Sequence, residues 1–346
     1  MLHRLYVRAR MHASLVVFVA ASSTPVLAHG DHGGGGGTVL PAGITVVSFD
    51  VDYTRYKPIS DARLAALSDQ GVDGVHSLKQ IAVPAISIGY GVTNDLTVGV
   101  RLPYLANRDI RETDTANGGF TERGGVYGFG DTTVTATYRV VREAQSGFEA
   151  ALTAGVKIPT GRSDAQDKFG VLFETEHQPG SGSWDGVFGL NLSKQSGLWG
   201  FNGSALYGLA GDGDQNTRLG DHFSYGIGVS YRIQGGSGAE HMHLGGTRPD
   251  GIMHHGGHDH AAEDHLAPNA VDLTLGLNGE WHDRQRIAGL RDDNTGGHTL
   301  YVTPGVRFAT ERTTTSVNVG IPVATDLNGI QSAPDWRLTT SMGVKF

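Results

Sequence analysis

Cysteine is missing altogether from this chain of 346 residues. That one absence removes disulfide staples, thiolate metal sites and cysteine nucleophiles. Charge is scarce too: Asp, Glu, Lys and Arg make up 18% of the chain, against roughly 25% in ordinary soluble domains. Beyond the N-terminal region no apolar run reaches the roughly 18 residues that a transmembrane helix needs. No basic patch stands out against the net charge of -8, which argues against nucleic acid as a partner. The Gly-X-Ser-X-Gly nucleophile signature does not occur. Ser224 near His222 is a fragment of the kind that barrel hydrolases use, but it is isolated, and the chain reads as a non-enzyme. The glycine-rich stretches Gly128-Phe129-Gly130 and Gly211-Asp212-Gly213-Asp214 lack the rest of a phosphate or calcium loop and read as exposed turns.

What the chain has instead is a leader, a tether and a long alternating body. Arg4, Arg8 and Arg10 precede the apolar stretch Leu15 to Ala21, and Val26-Leu27-Ala28 offers small residues for cleavage. Residues 1–28 therefore read as a secretory signal peptide. Residues 29–41, with His29, Asp31, His32 and five consecutive glycines, read as a flexible periplasmic tether. From residue 42 to Phe346 the pattern has period two. In 224–233, Tyr225, Ile227, Val229, Tyr231 and Ile233 oppose Ser224, Gly226, Gly228, Ser230 and Arg232. In 271–278, Val271, Leu273, Leu275 and Leu277 oppose Asp272, Thr274, Gly276 and Asn278. Such alternation gives every strand one apolar and one polar face.

A soluble β-sandwich alternates in the same way. Length, connection pattern and charge placement favour a membrane. About 12 strands of about 10 to 14 residues suit a tilted span of about 9 to 11 residues better than a soluble sheet does. Expected strands lie near 43–53, 78–91, 95–105, 129–142, 147–159, 184–193, 197–210, 222–233, 269–282, 298–309, 312–323 and 335–346, with 163–175 a candidate for one more. Their connections alternate short and long, as in outer-membrane barrels, where short turns face the periplasm. Tyr53, Tyr90, Tyr104, Tyr138, Tyr207, Tyr231, Trp281 and Phe346 fall near strand ends, where interfacial girdles sit. The fold expected is all-β: a transmembrane, antiparallel, up-and-down β-barrel of about 12 strands in the bacterial outer membrane, with lipid as its surroundings.

One connection breaks the alternation. Residues 234–268 should be a short periplasmic turn but form a long His-rich insert. Seven of the 16 histidines lie there: His241, His243, His254, His255, His258, His260 and His265, with Asp259 among them. Clustered imidazoles can capture Zn, Cu, Ni or Co ions, and His29, Asp31 and His32 repeat the theme. The irregular spacing specifies no single rigid site, and a disordered, solubilising loop is the competing reading.

By parity Arg101, Arg139, Lys157, Arg232, Arg307, Arg337 and Lys345 face the lumen, with Glu149 and Asp272 opposing them. Two readings stay open. The excess of cations could give a weak anion preference, or the charges could cross-pair and fill the interior.

Several segments carry a resemblance. Gly128-Phe129-Gly130-Asp131-Thr132 leads a strand ending in Tyr138-Arg139. Gly155-Val156-Lys157-Ile158-Pro159-Thr160-Gly161-Arg162 and Arg101-Leu102-Pro103-Tyr104 complete the set. Together they resemble the outer-membrane family named after the phenol meta-cleavage degradation pathway. The terminal Phe346 resembles the signal read by the barrel-assembly machinery. The resemblance implies an envelope barrel with a transport role, with hydrophobic or aromatic compounds as cargo. The His-rich segments depart from that pattern and point towards metal ions. The expectation is a channel or transporter for small solutes, with a barrel-anchored metal-sequestering protein and an aromatic-compound channel as alternatives.

Overall fold

The computed structural model describes residues 39–143, 145–235 and 269–346. Twelve long strands form its body: β1 Thr45–Tyr56, β2 Gln80–Gly91, β3 Leu96–Thr113, β4 Thr132–Glu143, β5 Phe148–Ile158, β6 Asp185–Ser196, β7 Trp199–Leu209, β8 His222–Gln234, β9 Ala270–His282, β10 Gly297–Ala309, β11 Thr313–Leu327 and β12 Pro334–Lys345. Each pairs antiparallel with its sequence neighbours, and β1 pairs with β12, so the sheet closes on itself. The seam is completed beyond the ladder. Thr45 N donates to the carbonyl of Phe346 at 3.2 Å, and Phe346 N donates back at 2.8 Å. Closure leaves no edge of unpaired amides to face lipid, where each would cost several kcal/mol.

The period-two pattern sorts side chains as it must. Ile227 on β8 is 65% exposed on the outer face, whereas Thr137 on β4 is fully buried on the inner one. The outer face is a continuous apolar surface that only lipid can cover, which makes the chain an outer-membrane protein. Aromatic pairs mark both rims. Tyr53 and Trp336 lie 5.2 Å apart, tilted at 41°, near the outer ends of β1 and β12, and Trp199 and Tyr231 lie 4.7 Å apart near the periplasmic ends of β7 and β8.

Three features differ from the sequence-based expectation. First, β3 does not stop at the rim near residue 105. It continues to Thr113 and returns as a paired strand, Phe120–Phe129, so a hairpin rises above the barrel. Second, the first outer loop contains a helix, α1 Asp61–Asp69. Ser60 caps it by accepting from Arg63 N, and Leu64 and Leu67 bury against Val75. Third, the segment expected as the end of a tether is packed. Val39 and Leu40 are buried, and Leu40 N donates to Thr97 Oγ1 at 2.7 Å on the inner face of β3. Pro41 runs so close to Gly91 that a Cβ there would lie 2.0 Å from the Pro41 carbonyl oxygen. Residues 39–41 therefore sit inside the periplasmic end of the barrel. Residues 163–175 form no barrel strand; their pairing is a single bridge between Gln166 and Leu172.

Candidate functional site

The inner wall is built from small polar residues because the strands supply them at every second position. Glycines make room for longer neighbours. Asn278 faces Gly226, Asn202 faces Gly228 and Asn318 faces Gly305 across adjacent strands. A Cβ at those glycines would meet the asparagine Oδ1 atoms at 2.3, 2.5 and 2.0 Å respectively. Each amide thus lies close against the glycine it faces. Among these side chains is a cavity of about 360 Å³, lined by Asn191, Ser204, Ser224, Thr274 and Thr303 as well.

Charged pairs bracket that cavity. Towards the outer end, Arg337 forks onto Glu280, with Nη2 to Oε2 at 2.8 Å. Towards the periplasm, Asp272 accepts from Arg232 at 2.8 Å and from Arg307 at 2.6 Å. Asp52 and Arg101 stand 3.5 Å apart, Arg139 and Glu149 3.7 Å, and Lys157 and Asp185 2.5 Å. Of the nine charged residues placed in the lumen by parity, eight, all but Lys345, have an opposite charge beside them. The geometry corresponds to cross-pairing rather than to a bare ring of cations.

The six outer loops pack against one another over the mouth. The third, 159–184, folds inward, and the residues that carry the family resemblance anchor it. Asp131 Oδ1 accepts from Gly161 N at 2.9 Å, and its Oδ2 accepts from Ser181 N at 2.9 Å. Lys157 Nζ donates to Ser181 Oγ at 2.6 Å. Gly161 and Gly180 touch backbone to backbone, so a Cβ on Gly161 would lie 2.7 Å from Gly180 Cα. From that base the loop places Phe173 in an apolar cluster with Ile81, Val83 and Leu105 of the inner wall. Gln178 braces it by donating to the carbonyls of Phe173 and Ala165. Thr175 Oγ1 donates to the Asp214 carbonyl of the fourth loop, and Gln285 of the fifth donates to Glu176.

A second group lies at that junction. His76 of the first loop meets Glu174, Glu176 and His177 of the third, with one ligand atom from each inside a span of 4.8 Å. Burial works against a charged His76 imidazole, but Glu174 and Glu112 outweigh it and raise its pKa. Burial, and then the neighbouring Glu174, push the Glu176 carboxyl well above the usual carboxylate range. Burial, and then His76, push His177 well below the usual histidine range. Sequence reading missed this group because its members lie about a hundred residues apart in loops without periodicity. The short run Glu174-Thr175-Glu176-His177 was its one local signal. The metal-binding residues expected from composition (His29, Asp31, His32 and the set from His241 to His265) lie outside the described residues.

Residues 85–267, more than half of the chain, match the family described as "Putative MetA-pathway of phenol degradation". The chain belongs to this family. No curated protein matches it. Among solved structures, an outer-membrane channel from Pseudomonas putida F1 superposes with a TM-score of 0.55 at 17% identity, covering 92% of this chain and 98% of that one. LpxR from Salmonella typhimurium has a TM-score of 0.44 at 9% identity, covering 86% and 99%. The β domain of the Bordetella autotransporter BrkA has 0.42 at 11%, covering 89% and 100%. The first likeness is one of fold, and the other two carry no argument.

Proposed function

We propose that this family member is an outer-membrane channel for small solutes. One observation carries the reading: a cavity of about 360 Å³, with asparagine, serine and threonine side chains among its lining residues, lies inside a closed, lipid-facing barrel. A barrel that served only as an anchor would have no use for glycines that hold amides against the wall. The Pseudomonas putida protein of the same fold is described as an outer-membrane channel, which supports the reading. Packed loops above and residues 39–41 below make the conducting state one in which at least one of them moves.

An aromatic or hydrophobic cargo is a second reading. The apolar cluster of Ile81, Val83, Leu105 and Phe173 at the mouth favours it, as does the family's link to phenol degradation. The His-rich insert supports transition-metal ions as a third class of cargo, by composition alone. Planar-bilayer recording tests the channel: discrete conductance steps are expected, and a silent, correctly folded barrel would refute it. Proteoliposome uptake of phenol, a neutral sugar and Zn2+ then separates the cargo classes.

A further inference from the structure

The group at the junction of the first and third outer loops has the make-up of a metal site. His76 Nε2 lies 3.6 Å from Glu174 Oε2, His76 Nδ1 lies 3.8 Å from Glu176 Oε1, and His177 Nε2 lies 3.8 Å from Glu176 Oε1. Hydrogen bonds between such atoms are about 2.7–3.2 Å long. The Nε2–Glu174 and His177–Glu176 gaps instead approach the edge of a coordination tetrahedron, about 3.4 Å for metal bonds of about 2.0–2.1 Å, and one atom from each of the four residues lies within 4.8 Å of the other three.

Two further observations point to a ligand. The His177 side chain is 1% exposed, and neither of its ring nitrogens has a hydrogen-bond partner. A buried imidazole is normally satisfied. Glu176 is divided in the same sense. Gln285 donates to its Oε2, while its Oε1, the atom facing both imidazoles, accepts no hydrogen bond. An amide that orients a carboxylate from behind is the usual outer shell of a ligating group. Phe173, edge-on to His177 with ring centroids 6.3 Å apart, closes one side with an apolar wall.

We propose that His76, Glu174, Glu176 and His177 bind a divalent transition-metal ion of the Zn2+ class, which fastens the third outer loop across the mouth. Two imidazoles with two carboxylates suit a borderline cation; an all-oxygen set would be expected for Ca2+ or Mg2+. The ion would join a loop that precedes β2 to one that follows β5, strands three places apart in the ring. β8 and β9, which flank the His-rich insert in sequence, meet at the opposite end of the barrel from this site.

The test is cobalt substitution in the full chain, refolded in detergent and stripped with EDTA. One equivalent of Co2+ should give the strong visible absorption of a four-coordinate ion, and Zn2+ should displace it. His177→Ala and Glu174→Gln should abolish the band. A control in which the seven histidines between His241 and His265 become asparagine should keep it. Heat-modifiable migration on gels reports folding of each variant. If His177→Ala does not fold, Glu174→Gln decides, since that side chain is 24% exposed and is the least buried of the four. Absence of the band in the folded parent protein overturns the proposal. So does its survival in Glu174→Gln, or its loss in the asparagine control.

Discussion

Arg139 Nη2 donates to the main-chain carbonyl of Val39 at 3.0 Å. That bond ties the segment ahead of β1 to the inner wall of β4, and it makes Arg139 a latch as well as a partner for Glu149. Arg139→Ala should release residues 39–41 from the periplasmic end and raise single-channel conductance. Unchanged conductance, with the barrel folded, would mean that this segment does not obstruct the path.

Asp272 sits between two guanidiniums with its side chain 2% exposed. Asp272→Asn would leave Arg232 and Arg307 facing each other without their shared counter-charge. Removing one partner of a buried charge pair costs about 3–5 kcal/mol, so denaturant unfolding should shift clearly to lower midpoint. The lost negative charge should also move the reversal potential in a salt gradient towards anion preference. A reversal potential that stays put would place this triad off the conducting path.

The His-rich insert interrupts a tight turn. Gly235 and Ala270 nearly touch: a Cβ on Gly235 would lie 3.0 Å from Ala270 Cα. Two strands that end so close can be joined by a two-residue Asn-Gly turn. Replacing residues 236–268 by such a turn should leave barrel assembly and heat-modifiable migration unchanged. Failure to assemble would show that the insert takes part in folding.

Asp114 holds the tip of the hairpin above the barrel. Its carboxylate accepts from Asn117 N at 2.9 Å and from Thr121 Oγ1 at 2.9 Å. The side-chain and main-chain donors of Asn117 lower its pKa below the ordinary aspartate value. A depressed carboxylate pKa stabilises the folded turn above the unfolded pKa, and that stabilisation is lost as pH falls through the folded value. Amide exchange at Asn117, normalised for intrinsic rate, should therefore quicken as pH drops below about 4. The dependence should vanish in Asp114→Asn. A pH-independent protection factor would remove Asp114 from this role.

Strand positions were legible from sequence because lipid outside and water inside impose period two on every span. The expected 222–233 and 269–282 differ from His222–Gln234 and Ala270–His282 by a residue at an end. The mouth was not legible in that way. Loops carry no lipid-facing constraint, so nothing in their pattern announced that 159–184 folds inward or that His76 meets His177. Helix α1 did leave a local trace in Ser60 followed by Asp61 and the Leu64/Leu67 spacing, but a barrel template assigns such stretches to loop. The facing of Asn278 with Gly226 depends on register. Composition drew attention to the abundant histidines of 241–265, whereas the ligand cluster among the described residues uses two that are sparse in sequence.

The reciprocal bonds between Thr45 and Phe346 have a consequence for how the ring is read. With the first and last strands zipped together like any other pair, the finished circle contains no privileged starting point. A gene rearranged to begin at the short turn 310–312, with a linker joining the former ends, would encode the same cylinder. Where the chain starts would then govern only the sequence in which staves reach the membrane, leaving the vessel they make unaltered.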